Sequence, residues 1–431
     1  MRVGSTRGGA ADLPLADALL RGTAPDGGLY VPASLPREVV RQPNPTTLHE
    51  AALTMLAPFF ADEALAPALP EMIREAFTFP APLVPSRRPG DFVLELFHGP
   101  TAAFKDFGAR FLAACMRRLH PPGGDIRTVL VATSGDTGAA VASAFHRMPG
   151  IHVVVLYPDG RVSPRQAHQL GAFGDNVSAL RLAGSFDDCQ QMVKSAFADA
   201  SLAALHLTSA NSISLGRLLP QLAYHAHAAF SVEAVGGPLN LVVPTGNLGN
   251  ALAAVWAREL GAPIGNIVLA TNANQTLPEF FDSGLYQGRP SVKTLANAMD
   301  VGDPSNFERL LWTFGDPHVL RARVRARAVS DLHIARTIEH GERQHGQLFC
   351  PHTAAAVFVL DQLRTEGATG DWAAVATAHP AKFETVVEPL VGHAIPVPPA
   401  LAELLARPSH AEPLAADPAA LRDWLLDHRA G

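Results

Sequence analysis

The sequence predicts an α/β protein built on parallel sheets with helices wound over both faces. Three observations predict it. From about residue 92 onward, short β-rich runs alternate with helical ones. Several of the junctions between them carry Gly, Ser, Thr or Asn. The strand-like runs are almost continuously apolar, as strands covered on both faces must be. The chain has 431 residues, 48% hydrophobic and 17% charged, which allows roughly two to three domains around a large core. A formal net charge of -6 gives no reason to expect a polyanionic partner, and no nucleic-acid role is expected. No run of about 20 apolar residues predicts a membrane span. No basic start followed by an apolar segment predicts a leader, so a cytoplasmic location is expected.

The elements follow in order. The first ninety or so residues read as short helical pieces broken by proline, with a loop at 42–47 and a helix over 48–60. Residues 80–91 read as a connector and 92–97 (FVLELF) as a strand. Residues 105–119 place Phe107, Phe111, Leu112, Cys115 and Leu119 along one helical face. Strands are expected at 128–132, 152–157, 239–243, 267–271 and in WAAVATA (372–378). Ser185 and Asp188 fit the S-x-x-D signature of a helix start. The run RARVRARA (321–328) reads as the solvated face of a helix, and the C-terminal segment as a surface helix. Cys115, Cys189 and Cys350 are scattered, which fits small buried residues better than disulfides or zinc ligands. His225 and His227, two residues apart, cannot share a helix face, and no metal site is expected.

Five segments carry residue types that can do chemistry, and each has a plain structural alternative. PTGNLGN (244–250) lies between a strand and a helix. Its glycines can turn several N–H groups toward one point at the positive helix end, a pocket suited to a phosphate monoester. It reads equally as a tight turn. TSGDTG (133–138) has the same placement and can hold a carboxylate or a phosphate, or simply cap its helix. Lys105, between Phe104 and Phe107, can be desolvated into a nucleophilic amine of the Schiff-base kind, or stand at the surface of a helix start. In NSISLGRLLPQ (211–221), Asn211, Ser212 and Arg217 can converge on a phosphate, or form a capped helix with one surface arginine. ATAHPAKF (376–383) offers Thr377, His379 and Lys382 at the end of a strand, where open α/β folds bind ligands, or is a plain loop.

Taken together and in this order, the segments resemble the threonine synthase family of the bacterial and fungal type, within the fold-type-II enzymes that use pyridoxal 5′-phosphate (PLP). The resemblance runs from STRG (5–8) and PDGGLYVP (25–32) through HGPTAAFKDFGARF, SGDTGAA, NSIS-GRLLPQ, PTGN-GN, ATNAN, NAMDVGDPSNF and ATAHPAKF, essentially the whole chain. It implies a doubly wound, tryptophan synthase β-like architecture of two α/β domains with PLP in the cleft between them. The implied division is an N-terminal segment (1–95) packed on the large domain, a mobile small domain (105–235) and a large domain from 96–104 and 236–431. It also implies conversion of O-phospho-L-homoserine and water into L-threonine and phosphate, by a monomer or homodimer.

By the same resemblance, Lys105 forms the imine with PLP and afterwards moves protons at Cα and Cβ. Gly246, Asn247, Leu248, Gly249 and Asn250 are expected to hold the cofactor phosphate, Thr377 to face the pyridine nitrogen, and Asp136 to lie beside the ring 3′-oxygen. Ser134 and Thr137 are expected on the substrate carboxylate. Asn211, Ser212 and Arg217 are expected on its phosphate, with Lys382 assisting. The expelled phosphate is expected to activate the water that adds at Cβ. The alternatives are a phospho-lyase releasing 2-oxobutyrate and ammonia from the same substrate, and a non-catalytic PLP-binding protein. The chain departs from many relatives at FCPHTAAA (349–356), where Cys350 stands in place of an acid. Folding is expected to survive that exchange.

Overall fold

A computed structural model describes residues 1–37, 39, 44–120, 123–233 and 237–428. Three sheets organise it. The N-terminal strands β1 (Arg2–Ser5), β2 (Leu13–Pro14) and β3 (Tyr30–Pro32) pair antiparallel in the order β2-β1-β3. They lie where only short helical pieces are expected. Two- to four-residue strands between prolines and glycines carry too little alternation to show a period of two. The helix Leu48–Phe60 begins where expected, on a Thr47–Glu50 capping box. The loop expected at 42–47 falls partly outside the described residues.

The largest sheet has six strands in the order β11-β10-β9-β12-β5-β4. These are β4 (Leu83–Pro85), β5 (Asp91–Glu95), β9 (Leu239–Pro244), β10 (Ile264–Thr271), β11 (Arg325–Ala328) and β12 (Trp372–Ala376). All neighbours are parallel except β4 against β5. The run 321–328 is therefore not one helix. Its first half ends the helix Pro317–Arg323 and its second half is the edge strand β11, where Arg327 pairs with Glu366 at 2.6 Å. Alternating Arg and Ala suits an edge, because charge on an edge strand resists pairing with another chain.

The second parallel sheet runs β13-β8-β7-β6, with β6 (Arg127–Ala132), β7 (Ile151–Pro158), β8 (Val177–Leu182) and β13 (Glu412–Leu414). Its first three strands lie within the segment expected as the small domain. β13 comes from the region assigned to the large domain and returns across to pair with β8. The helix Pro418–Asp427 follows it onto this sheet, burying Leu421, Trp424 and Leu425. Similarly, β5 belongs to the six-stranded sheet although residues up to 95 are assigned to the N-terminal segment. The expected boundary at 235 and 236 lies outside the described residues.

The Lys105–Leu119 helix stands between the two sheets. Phe107 and Phe111 enter the core shared with β5, β9 and β12, whereas Ala109, Leu112 and Met116 enter the core under β6 and β7. Its first residue therefore opens at the seam of two cores. Strand order supplies the other walls. From β9 the chain passes to β10 on one side, while β12 flanks β9 on the other. The carboxyl ends of β9 and β12 thus form a topological switch point, where open α/β sheets place ligands. No helix among the described residues is long and apolar enough to cross a membrane.

Candidate active site

A cavity of about 1230 Å³ opens at the carboxyl ends of β6, β9 and β12. Its walls bring together Lys105, Ser134, Asp136, Thr137, Asn211, Ser212, Arg217, residues 246–250 and Thr377, all named as candidates from sequence. One candidate is missing. Lys382 is fully buried and does not line the cavity, because its amine bonds to Asp136 Oδ1 at 2.8 Å and to the Thr101 carbonyl at 2.7 Å. The expected contact of Lys382 with substrate phosphate is not supported by this placement.

The loop after β9 is a backbone-built cradle. Leu248 adopts a left-handed conformation (φ 64°) immediately before the helix Gly249–Glu259 and turns the chain sharply at the helix start. Among the described residues, the N–H groups of 246–250 donate to no protein acceptor. Gly246 is required by close approach, since a Cβ there would lie 2.8 Å from Met299 Cα. Asn250 is buried, with Oδ1 accepting from the Tyr224 hydroxyl at 2.7 Å, and its Nδ2 has no partner. The loop is pinned from outside. Asn247 Nδ2 donates to Ser212 Oγ at 2.7 Å, and Asn306 Nδ2 donates to the Asn247 carbonyl at 2.9 Å. Arg309, wholly buried, ties this corner to the N-terminal sheet by donating to Tyr30 O, Asn306 Oδ1 and Ile213 O. A ring of free donors, an orphan amide and a glycine where no side chain fits is a fitting seat for a phosphate group.

The loop after β6 is built differently. Thr133 Oγ1 accepts from the N–H groups of Gly135 and Gly138 at 3.0 and 2.9 Å, which leaves the hydroxyls of Ser134 and Thr137 to the cavity wall. The first helical residue here is Asp136. Burial alone would raise its carboxyl. Lys382, Lys105 and His352 outweigh that, and Asp136 is held well below the usual carboxylate range. Gln166 Nε2 donates to Asp136 Oδ1 at 2.9 Å, and Gly135 (φ 127°) makes room, since a Cβ there would strike the Gln166 amide at 2.6 Å.

Lys105 faces this carboxylate, with Nζ 3.9 Å from Asp136 Oδ2. Burial pushes its amine down from 10.5 to about 8; Asp136 raises it, and Lys382 and Arg217 lower it further. An amine in this range is available as nucleophile or base near neutral pH. Arg217 is buried with one amino group on the Ala210 carbonyl and Nε unpartnered; burial lowers it to about 10. Asn211 donates to the Ala132 carbonyl at 3.2 Å and has Oδ1 unpartnered.

Sequence reasoning missed three groups. His352, lowered by burial to about 4 and therefore neutral, accepts the Ala298 N–H at 3.1 Å on the cavity wall. Asp300, raised by burial to about 6, closes a network with Thr294 and Asn272. Gln166 clamps Asp136. The PHT and NAMD runs carried some signal; Gln166 carried none, because nothing nearby in the chain marks it. Cys350 caps the helix Pro351–Thr365, with Sγ accepting from Thr353 N–H at 3.5 Å, so the thiol takes the place an acid would hold as a cap. All three cysteines are free and buried. Among the described residues there is no cluster of three or more His, Cys, Asp or Glu that could hold a metal.

Known proteins resemble this chain over nearly its whole length. Residues 76–381 match the family model described as pyridoxal-phosphate dependent enzyme. Residues 3–77 match that for the threonine synthase N terminus, and 353–425 that for the threonine synthase C-terminal region. A threonine synthase of Serratia marcescens is 39% identical over 419 residues, covering 95% of this chain and 96% of its own. The crystal structure of threonine synthase from Escherichia coli superposes with a TM-score of 0.90 at 36% identity, covering 99% of this chain and 100% of that one. The PLP-bound threonine synthase from Brucella melitensis gives 0.90 at 35% identity, with both chains covered completely.

Proposed function

The chain belongs to the threonine synthase family of PLP-dependent enzymes, and we propose that the cavity between its two parallel sheets is where it turns O-phospho-L-homoserine and water into L-threonine and phosphate. It is a carbon–oxygen lyase of that family with the fold-type-II architecture. The observation that carries the assignment of roles is the placement of a desolvated Lys105 amine in one cavity with a ring of free backbone donors at 246–250.

When bound, PLP supplies the electron sink that lets protons leave the carbons near the substrate amino group. The chain supplies position and proton transfer. Gly246, Asn247, Leu248, Gly249 and Asn250 hold the cofactor phosphate; the orphan Asn250 Nδ2 and the free N–H groups support this. Thr377, just past the carboxyl end of β12, would offer a hydroxyl to the ring nitrogen, and Asp136, on the same cavity wall, would face the ring 3′-oxygen. Lys105 would hold the cofactor through its amine, and the same amine would take and return protons at Cα and Cβ, a task suited to an amine near 8. Ser134 and Thr137 hold the substrate carboxylate, since Thr133 already caps their helix. Asn211, Ser212 and Arg217 hold the substrate phosphate; all three line the cavity, and the Arg217 Nε–H is a donor without a partner. Most of these substrate groups lie on the 105–235 segment, and its movement over the cleft on binding is part of the reading. A monomer or homodimer in the cytoplasm is the working form.

The test is incubation of the PLP-loaded protein with O-phospho-L-homoserine while threonine, 2-oxobutyrate and phosphate are assayed together, beside Lys105→Ala. Threonine and phosphate in step are expected, with a loss of roughly a thousandfold or more in the variant. Phosphate accompanied by 2-oxobutyrate would identify a phospho-lyase instead.

A further inference from the structure

Only four of the 34 Lys and Arg residues are lysines: Lys105, Lys194, Lys293 and Lys382. Two of those four converge on a single carboxylate, that of Asp136. Elsewhere the chain makes its cations almost entirely from arginine.

The surroundings of Lys382 are those of a clamp. Its side chain is wholly buried and absent from the cavity wall. Its Nζ bridges Asp136 Oδ1 at 2.8 Å and the Thr101 carbonyl at 2.7 Å, thereby joining the end of β12, the loop before Lys105 and the helix after β6. Its backbone is gripped in turn: Ser163 Oγ donates to the Lys382 carbonyl at 2.5 Å and Arg165 donates to the Ala381 carbonyl at 2.7 Å. Ser163 also forms a capping box with Gln166, whose amide takes a second share of Asp136 Oδ1. Oδ1 is therefore occupied twice, and Oδ2 is the oxygen left toward Lys105.

We propose that Lys382 is a positioning residue, which clamps Asp136 by one carboxylate oxygen from behind the cavity and so fixes the other against the Lys105 amine. This rests on Lys105 being the cofactor's anchor, and it replaces the substrate-phosphate contact expected from sequence. The charged and titratable groups acting on Asp136 are Lys382, Lys105 and His352; those acting on Lys105 are Asp136, Lys382, Arg217 and Cys350. Signs follow from charge. Removing the buried Lys382 cation makes loss of a proton from the remaining Asp136–Lys105 pair harder, whichever of the two holds it, so the pair titrates higher. Removing the Asp136 anion takes away the strongest group that raises Lys105 and leaves Lys382 and Arg217 to lower it, so it titrates lower.

With lysine labelled by ¹³C at Cε, the cofactor-free protein gives four resonances, and that of Lys105 is identified by its loss in Lys105→Ala. Its midpoint is expected to rise by about one pH unit in Lys382→Met, to fall by a similar amount in Asp136→Asn, and to lie between these in the double variant. The visible band of the PLP-loaded variants should titrate in the same order, and the Ki of inorganic phosphate should stay within about threefold of wild type, since Lys382 does not line the phosphate corner. If Lys382→Met does not fold, the pair Asp136→Asn and double variant decides, with the double expected to titrate higher by about half a pH unit or more. Coincident midpoints for those two would overturn the proposal. So would an unmoved Lys105 midpoint in Lys382→Met together with a Ki for phosphate about tenfold weaker, which would return Lys382 to the substrate. The resonance shifts are read without cofactor or substrate, so they test the lysine pair whatever reaction the loaded protein performs.

Discussion

The loops after β9 and β6 occupy the same place in the fold, between the carboxyl end of a parallel strand and the start of a helix, yet they have been turned to opposite uses. The β9 loop, 245–248, brings no ionisable side chain to its helix start and, among the described residues, the N–H groups of 246–250 are free, so the positive helix end is open to a fixed anion. The β6 loop places Asp136 in the first helical turn, so the anion is built in and the site looks for cations, which Lys105 and Lys382 supply. At the β6 helix start the carboxylate of Asp136 faces two lysines, and only the hydroxyls of Ser134 and Thr137 are left there for an anionic ligand.

The comparison can be sharpened first by pH. Because burial brings the Lys105 amine down to about 8, capture of PLP by the cofactor-free protein should slow roughly fiftyfold between pH 8 and pH 6 and level off above about pH 9. A capture rate still climbing nearly tenfold per unit at about pH 9 would mean an ordinary lysine. The cradle is broken next by Gly246→Ala. A Cβ 2.8 Å from Met299 Cα forces the backbone apart, at a cost of about 2 kcal/mol, so PLP affinity measured by fluorescence titration should fall about thirtyfold with KM for substrate little changed once the cofactor is saturating. The smallest effect is expected from the β6 loop. Ser134→Ala removes one hydroxyl from the cavity wall, worth about 1 kcal/mol, and should raise KM about fivefold while leaving PLP affinity alone. Equal losses of cofactor affinity in the two variants would erase the distinction between the loops.

Much of the molecule was written locally. The apolar runs at 128–132, 152–157, 239–243 and 267–271 became strands whose ends match or differ by at most three residues. The Ser185 cap formed as its motif implied. The glycine and hydroxyl punctuation after those strands marked the cavity wall, because a strand-to-helix turn that exposes its backbone needs just those residue types. Where propensity and periodicity were weak, the sequence was silent or misleading. Strands of two to four residues, including all of β1–β3, β11 and β13, gain their order from neighbours and have no period of their own. Cys350 could be placed as a cap only once the helix Pro351–Thr365 was seen to begin after it.

The sequence by itself determined the chemistry on offer: one lysine between phenylalanines, two loops able to hold anions, and the asparagine, serine and arginine of NSIS-GR. Those choices are local, since they depend on residue type and on the nearest strand or helix. Only the tertiary structure decided which charges meet. Asp136 and Lys382 are 246 positions apart and touch because β6 and β12 end at one cleft, and Gln166 reaches the same carboxylate from a third element. Whether a buried lysine binds substrate or steadies a neighbour depends on which way its amine points, and that is set by the packing of two sheets against one shared helix.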